Sequence, residues 1–532
     1  MKKLFLLVFS IALVAIVNAK PAYRGAIERI QEDGSTITVY QHGDEFFHWT
    51  TNERGEWLKY ENGKYVVVPA MSTSEIDKAR VSAKRAPQAN QQAAPINLAP
   101  HGLIILVNFA DVPFDASNSL ADMKDMHNGD NYNYEYSYTV RGYTYNVKAT
   151  GSARKYFIDQ SNGNYKPTFD VVGPYTLSKE RSYYGDNDSR GNDKHPEEMV
   201  QEACKLADAD VDFSIYDNDS DGKVDFVYII YAGYGEADGG GEETIWPHSY
   251  HLTYSGVLCK VDEKQVDLYA CGSELSYSTK HRDGIGTFCH EFSHVLGLPD
   301  IYSTNNGSWK TSGAWDIMDY GPYNNDGSTP PAYSGYERMF FGWVTPRVLG
   351  FGEHTITELQ ANNDVCVITA TGEFNGIGSD PDPSTFWVLE NRQQYLWDEY
   401  LPGHGMLITK IMYDYNTWKT NVVNNTKSAL CIDIQEADGK TPSYNASFEN
   451  GYYGKEGDAY PAGGTSYVWI PNRLVNNVVE TNQVISLSVT YTEGIEELHN
   501  EDSSSAIKTL QNGQVVIKHN GSLYNLLGSK IE

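Results

Sequence analysis

Two histidines four residues apart leave this chain little freedom in one place: His290-Glu291-Phe292-Ser293-His294, continued by Val295-Leu296-Gly297-Leu298-Pro299-Asp300. On an α-helix, histidines at that spacing stand one turn apart on the same face and can share one metal ion. Glu291 follows the first and reaches a water on that ion. Ile285, Phe288, Phe292, Val295 and Leu296 recur at helical spacing and anchor the other side in a core. Gly297 supplies the stop, because a glycine past a helix end adopts the left-handed conformation that turns the chain back. The turn brings Asp300 to the same ion. Three protein ligands and one open position are the pattern of catalytic zinc, whose charge makes a bound water a hydroxide-like nucleophile near neutral pH. Glu291 would take the proton and later deliver it to a leaving amine. The bland alternative is a structural helix with two hydrogen-bonded histidines.

A second segment, Trp315-Asp316-Ile317-Met318-Asp319-Tyr320-Gly321, follows the third ligand and ends in a glycine turn. Zinc peptidases with an extended motif carry a methionine turn beneath the metal, and Met318 suits that role. Tyr320 either swings toward the metal and donates to the oxyanion or serves only as a turn residue.

Taken together, the helix motif with Asp300 in the third-ligand place, the turn at 316–321 and the segment from Gly335 to Trp343 resemble the immune inhibitor A family of secreted bacterial metallopeptidases. Further matches are Gly151 to Phe157, Asp170-Val171-Val172-Gly173-Pro174 and Glu390-Asn391-Arg392-Gln393, so the similarity runs from about His101 to Pro461. The resemblance implies a zinc endopeptidase with His290, His294 and Asp300 as ligands and Glu291 as base.

The expected fold is multidomain α/β plus β: a zincin-type catalytic domain with its active helix against a sheet, followed by an antiparallel β-sandwich-like domain. Residues 1–19 have a basic start, an apolar stretch and a small-residue cleavage site before Lys20, the pattern of a secretory signal peptide. The apolar stretch falls short of the about 20 residues that span a bilayer, so no membrane span is expected once the signal is removed. Residues 20–81 read as a β-rich pro-segment, whose task would be to cover the open metal position. No cysteine lies between Lys20 and Cys204, so a thiol cannot do this; Asp44, Glu45 and His42 or His48 are the candidates, against the blander reading that they are surface residues of a β unit. Residues 82–100 are an Ala-, Gln- and Pro-rich linker with Lys84-Arg85 as a processing site. The catalytic domain is set at 101–345, the β-sandwich-like domain at 346–490, and an acidic linker with a short tail at 491–532. The tail is similar to short sorting tails of type IX secretion, which suggests a secreted or cell-surface location.

Asp217, Asp219 and Asp221 at positions 1, 3 and 5, a glycine at 222, the Lys223 carbonyl and Asp225 form the front of a calcium loop. Position 12 is Tyr228 where a full EF-hand has a bidentate glutamate, so the site needs completion from elsewhere. Calcium is therefore the second expected ion. The formal charge of −29, from 41 basic and 70 acidic residues, excludes nucleic acid as a partner and leaves protein or peptide substrates. Among six cysteines, Cys259 and Cys271 flank a hairpin and are the expected pair. Glu236 or His248, in the loop upstream of the helix, is expected to contact substrate, unless these are plain turn residues.

Two rivals remain. A thermolysin-like site would take its third ligand from a later helix, with Glu337 the candidate. A calcium-stabilised adhesin or carbohydrate-binding protein would keep the peptidase fold without the activity, against which the intact Glu291 argues.

Overall fold

The computed structural model describes residues 20–45, 47–72, 74–76, 78, 99–188, 191–304, 311–376, 381–438, 454–462, 468–491, 507–511, 514–519 and 522–524. The signal-like stretch, the processing dipeptide Lys84-Arg85 and most of the acidic linker lie outside the described residues. No helix among the described residues is long and apolar enough to cross a membrane.

The N-terminal unit is a five-stranded antiparallel meander built from Ile27–Ile30, Thr36–Asp44, Phe47–Thr51, Trp57–Glu61 and Lys64–Val67. Its small core of Ile27, Val39 and Leu58 packs toward Tyr277. The first and fourth strands escape a sequence reading because they are short and poorly alternating.

A five-stranded sheet forms the centre. His101–Asn108 pairs parallel with Thr168–Thr176 on one side and with Val227–Tyr234 on the other; Leu268–Leu275 follows in parallel, and His248–His251 closes the edge antiparallel. Leu103, Ile105 and Val107 face one side and Ile104 and Leu106 the other, all fully buried, which is why this strand reads as a continuous apolar run. Helix Pro196–Ala207 packs on the first side with proline in its first turn and Glu197 and Glu198 at the positive end of its dipole.

The metal-motif helix, Ile285–Val295, lies on the other side. Phe288 and Phe292 stack on each other at 5.8 Å and meet Phe157, Phe169, Tyr228 and Phe226 edge-on or tilted. Truncating either ring to alanine removes about 3–5 kcal/mol of stability. The helix begins under the loop of residues 320–328: Gly286 N donates to Gly327 O at 2.8 Å, and a Cβ at Gly286 would lie 2.1 Å from Pro322 O. Only glycine allows that approach.

Beyond residue 345 two sheets face each other, antiparallel throughout except that Arg347–Val348 pairs parallel with Val365–Ile368. Residues Arg347–Val348, Val365–Ile368, Thr385–Arg392, Gly405–Met412 and Ile432–Ile434 form one; Gly352–Ile356, Val484–Tyr491, Arg473–Thr481 and Val468–Ile470 form the other. Alternation decides where each side chain goes. Cys366, Ile368, Trp387 and Leu389 fill the space between the sheets, whereas Val365, Val367, Phe386 and Val388 enter the same core as the metal-motif helix. The β region is thus welded to the α/β unit.

All six cysteines are free thiols. The expected Cys259–Cys271 pairing does not form. Cys259 sits on a short strand whose thiol hydrogen-bonds that of Cys204, while Cys271 points at His248 Nδ1, 3.5 Å away. The hairpin is closed by Lys264–Val266, so Cys271 belongs to the next strand.

Candidate metal centre

The helix does what its spacing demands. The Nε2 atoms of His290 and His294 are 3.2 Å apart, and Asp300 Oδ1 lies 3.3 Å from the first and 3.2 Å from the second. Donors at about 2.0–2.1 Å from a tetrahedral zinc are separated by about 3.3 Å, so this near-equilateral triangle fits the ion. Apart from these two imidazole nitrogens, the fully buried Asp300 Oδ1 has no partner. A donor set of two imidazoles and one carboxylate, converging with an orphaned oxygen, is what a metal would satisfy.

Each ligand is held from behind. His290 Nδ1 bonds Ile317 O at 2.7 Å and His294 Nδ1 bonds Leu298 O at 2.8 Å, which leaves both Nε2 atoms to face the centre. Gly297 takes φ 104°, its N returns to His294 O at 2.9 Å and Leu298 N returns to Ser293 O at 3.0 Å, so the chain turns back as the glycine predicted. Asp300 N donates to Asn421 Oδ1 at 2.7 Å, and Asn421 Nδ2 donates to Asp300 Oδ2 at 2.5 Å. Burial alone would raise the Asp300 pKa, but the charge of His294 and the bond from His290 win and bring it down to about 2. Burial lowers the pKa of His290, favouring the neutral ring that a metal requires.

Met318 is fully buried next to Ile317, whose carbonyl holds His290; its own carbonyl accepts from Ile301 N at 2.8 Å and its amide donates to Asp316 Oδ1 at 2.8 Å. Tyr320 is nearly buried, and its hydroxyl accepts from Arg24 N at 3.4 Å. Glu291 is fully buried; Oε2 has no hydrogen-bond partner and Oε1 accepts from Lys20 N at 3.0 Å. Burial first, then the charge of Asp300, pushes its pKa well above the usual carboxylate range. Glu337, the rival ligand, is not with the histidines: it caps its own helix through Ser334 and lies against Asp316.

The N-terminal unit meets this centre. Both Glu45 carboxylate oxygens are buried without hydrogen-bond partners, and burial, Asp44 and Asp300 all raise its pKa. His48 stacks on Trp246 at 4.7 Å and pairs with Glu236 at 3.0 Å. His42 instead bonds Thr51 Oγ1 at 2.8 Å and stacks on Trp49. Glu236 therefore faces the N-terminal unit. His248 does not face the cleft, because its two ring nitrogens bond Trp246 O and Tyr269 OH at 2.7 and 2.9 Å.

At the second expected ion site, Asp217, Asp219 and Asp225 offer oxygens within 4.8 Å of one another. Asp221 is not in this trio: its Oδ1 accepts from Lys223 N at 2.8 Å, and its amide bonds back to Asp217 and Asp219. Lys264 Nζ also reaches Asp217 Oδ2 at 2.7 Å, a contact from 47 residues away that the loop's own sequence cannot reveal.

Residues 99–344 match the immune inhibitor A peptidase M6 catalytic domain. Two strains of Vibrio cholerae serotype O1 carry a pre-pro-metalloprotease, PrtV, that is 28% identical over 303 residues, covering 51% of this chain and 32% of PrtV. Immune inhibitor A of Bacillus thuringiensis subsp. alesti is 28% identical over 271 residues, covering 45% of this chain and 39% of its own length. The matched region thus spans about a third of these relatives. The metal triangle lies inside the region, residues 99–344, that is similar to the immune inhibitor A peptidase M6 catalytic domain.

Proposed function

We propose that this chain is an exported zinc endopeptidase, made as a zymogen with its cleft covered by its own N-terminal unit. The observation that carries the reading is the buried triangle of two Nε2 atoms and one Asp300 oxygen beside Glu291. His290, His294 and Asp300 would hold the zinc. When bound, it supplies Lewis-acid polarisation of the scissile carbonyl and activation of a water.

The chain's own groups do the rest. Glu291 is the general base and then the general acid, and its raised pKa lets it hold the abstracted proton until the amine departs. Its Oε1 faces the nitrogen of whatever chain lies in the cleft. Tyr320 meets the same segment further along, its hydroxyl accepting from Arg24 N. Met318 and the carbonyls of Ile317 and Leu298 keep the imidazoles oriented. The helix-on-sheet arrangement supports a zincin-type reading of the catalytic unit.

Latency follows from occupancy. Residues 20–24 run through the cleft, and Glu45 sits over the centre. PrtV is named a pre-pro-metalloprotease, in keeping with a removable leader and pro-segment. In this reading 1–19 is a signal, 20–81 the pro-segment and 82–100 the processing linker, with 101–345 catalytic, 346–490 the supporting β region and 491–532 the tail. Export, by type IX secretion in its narrower form, completes the proposal. Calcium on Asp217, Asp219 and Asp225 would displace Lys264 and brace the loop below the sheet.

The test is chelation of the processed chain against a denatured protein, with calcium held constant. Cleavage should stop and return with zinc. An adhesin that merely keeps the fold would bind its ligand and cleave nothing before or after zinc.

A further inference from the structure

Residues 20–23 are held in the cleft at successive backbone points. Lys20 N is 3.0 Å from Glu291 Oε1, Trp246 Nε1 donates to Lys20 O at 3.2 Å, Tyr323 OH donates to Pro21 O at 2.7 Å, and Tyr23 N donates to Ala237 O at 2.7 Å. In peptide hydrolysis the general acid protonates the nitrogen of the departing amine. The residue whose nitrogen touches Glu291 therefore stands where the first residue after the scissile bond stands. We propose that the enclosure around the Lys20 side chain is the specificity pocket for that residue, and that it selects lysine, with arginine second. This rests on the peptidase reading and names its substrate class: peptide bonds immediately preceding a basic residue.

The enclosure is built for a cation. Lys20 is only 3% exposed. Its Nζ donates to Thr287 Oγ1 at 2.8 Å, lies 3.9 Å from Asp283 Oδ2 and sits 4.6 Å from the centre of the Tyr323 ring. Thr287 donates its own proton to Asp283 Oδ2 at 2.9 Å, which turns an oxygen lone pair toward the ammonium. Asp238 is 5% exposed, with Oδ1 free of hydrogen bonds. Burial raises its pKa to about 6, and the Lys20 charge opposes that rise. An apolar side chain here would take the ammonium away from Asp283 and Asp238, whereas a lysine supplies it and gains the aromatic face.

One hydroxyl, one ring face and one carboxylate at 3.9 Å suit a compact ammonium better than the planar fork of a guanidinium. The next positions are less selective in charge. Pro21 needs no amide donor, and Ala22, fully buried against Ala237 and Trp246, leaves room only for a small side chain.

The experiment uses the full zinc-loaded chain, nicked in the linker between residues 82 and 98, with two readouts. The first is tryptophan fluorescence, through Trp246, on adding Lys-Pro-Ala-Tyr or Leu-Pro-Ala-Tyr. The lysine peptide should bind about a hundredfold more tightly, and Asp283→Asn combined with Thr287→Val should shrink that ratio at least tenfold. The second is the N-terminal residue of each fragment released from a denatured protein, expected to be lysine first and arginine next. Equal binding of the two peptides, or fragments with no basic bias, overturns the pocket even where cleavage is brisk. Selective binding of the lysine peptide without any cleavage supports the pocket and overturns the peptidase reading instead.

Discussion

Asn421 grips Asp300 from both ends: its amide oxygen takes the Asp300 N–H at 2.7 Å and its amide nitrogen gives a proton to Asp300 Oδ2 at 2.5 Å. The remaining oxygen, Oδ1, is thereby aimed at the two histidines. Asn421 itself holds φ 50°, a conformation asparagine tolerates better than most residues. Asn421→Gly keeps that backbone and removes the grip. It should weaken zinc binding about 10- to 100-fold, read by competition with a chromophoric chelator, while the fold persists. Unchanged affinity would mean that Asp300 is positioned by its own loop.

Asp300→Ala and Glu337→Gln separate the two ligand sets. The first should lose stoichiometric zinc and the second retain it, measured by metal analysis after dialysis. Glu337→Gln should cost stability instead, because it disturbs the Ser334 cap.

Docking of the N-terminal unit should depend on pH through His48. Burial acts to lower its pKa, but the charge of Glu236 and its hydrogen bond, aided by Glu242, leave it raised in the docked state. Asp193 and His248 line the same small cavity. A raised pKa means that the stabilisation is full below the ordinary histidine value near 6.5 and is lost as pH rises through the docked value. Release of the nicked N-terminal unit, followed by gel filtration, should therefore accelerate as pH rises above about 6.5. His48→Asn should flatten the profile; an unaltered pH dependence in that variant would place the titrating group elsewhere.

Calcium should raise the melting temperature of the full chain. At a hundredfold excess over its dissociation constant an ion contributes about 2.7 kcal/mol. Asp219→Ala and Asp225→Ala should abolish the increment, and Lys264→Met should enlarge it by freeing Asp217. A calcium-independent melting curve would make the loop a lysine-closed acidic turn.

Much of the centre was legible because its information is local. His290, Glu291, His294, Gly297 and Asp300 fall within eleven consecutive residues, and helix geometry alone brings the first three onto one face. The apolar strand of residues 101–108 and the helix of residues 196–207 are legible for the same reason: one is an unbroken apolar run and the other opens on Pro196 with Glu197 and Glu198 beside it. Asn421 was not, since it meets Asp300 across 121 residues and asparagine in a loop has many ordinary uses. Lys20 meets Glu291 across 271 residues, so a cleavage-site lysine gave no hint of a cleft. The cysteines misled for the complementary reason. Proximity in sequence favoured Cys271, whereas packing of helix 196–207 on the hairpin brings Cys204 to Cys259.

The central claim is tested most directly by the processed, zinc-loaded chain and its Glu291→Ala variant on one denatured protein substrate. The account predicts equal zinc content in both and a rate about 10²–10⁴-fold lower in the variant. Equal rates at equal zinc content would contradict it.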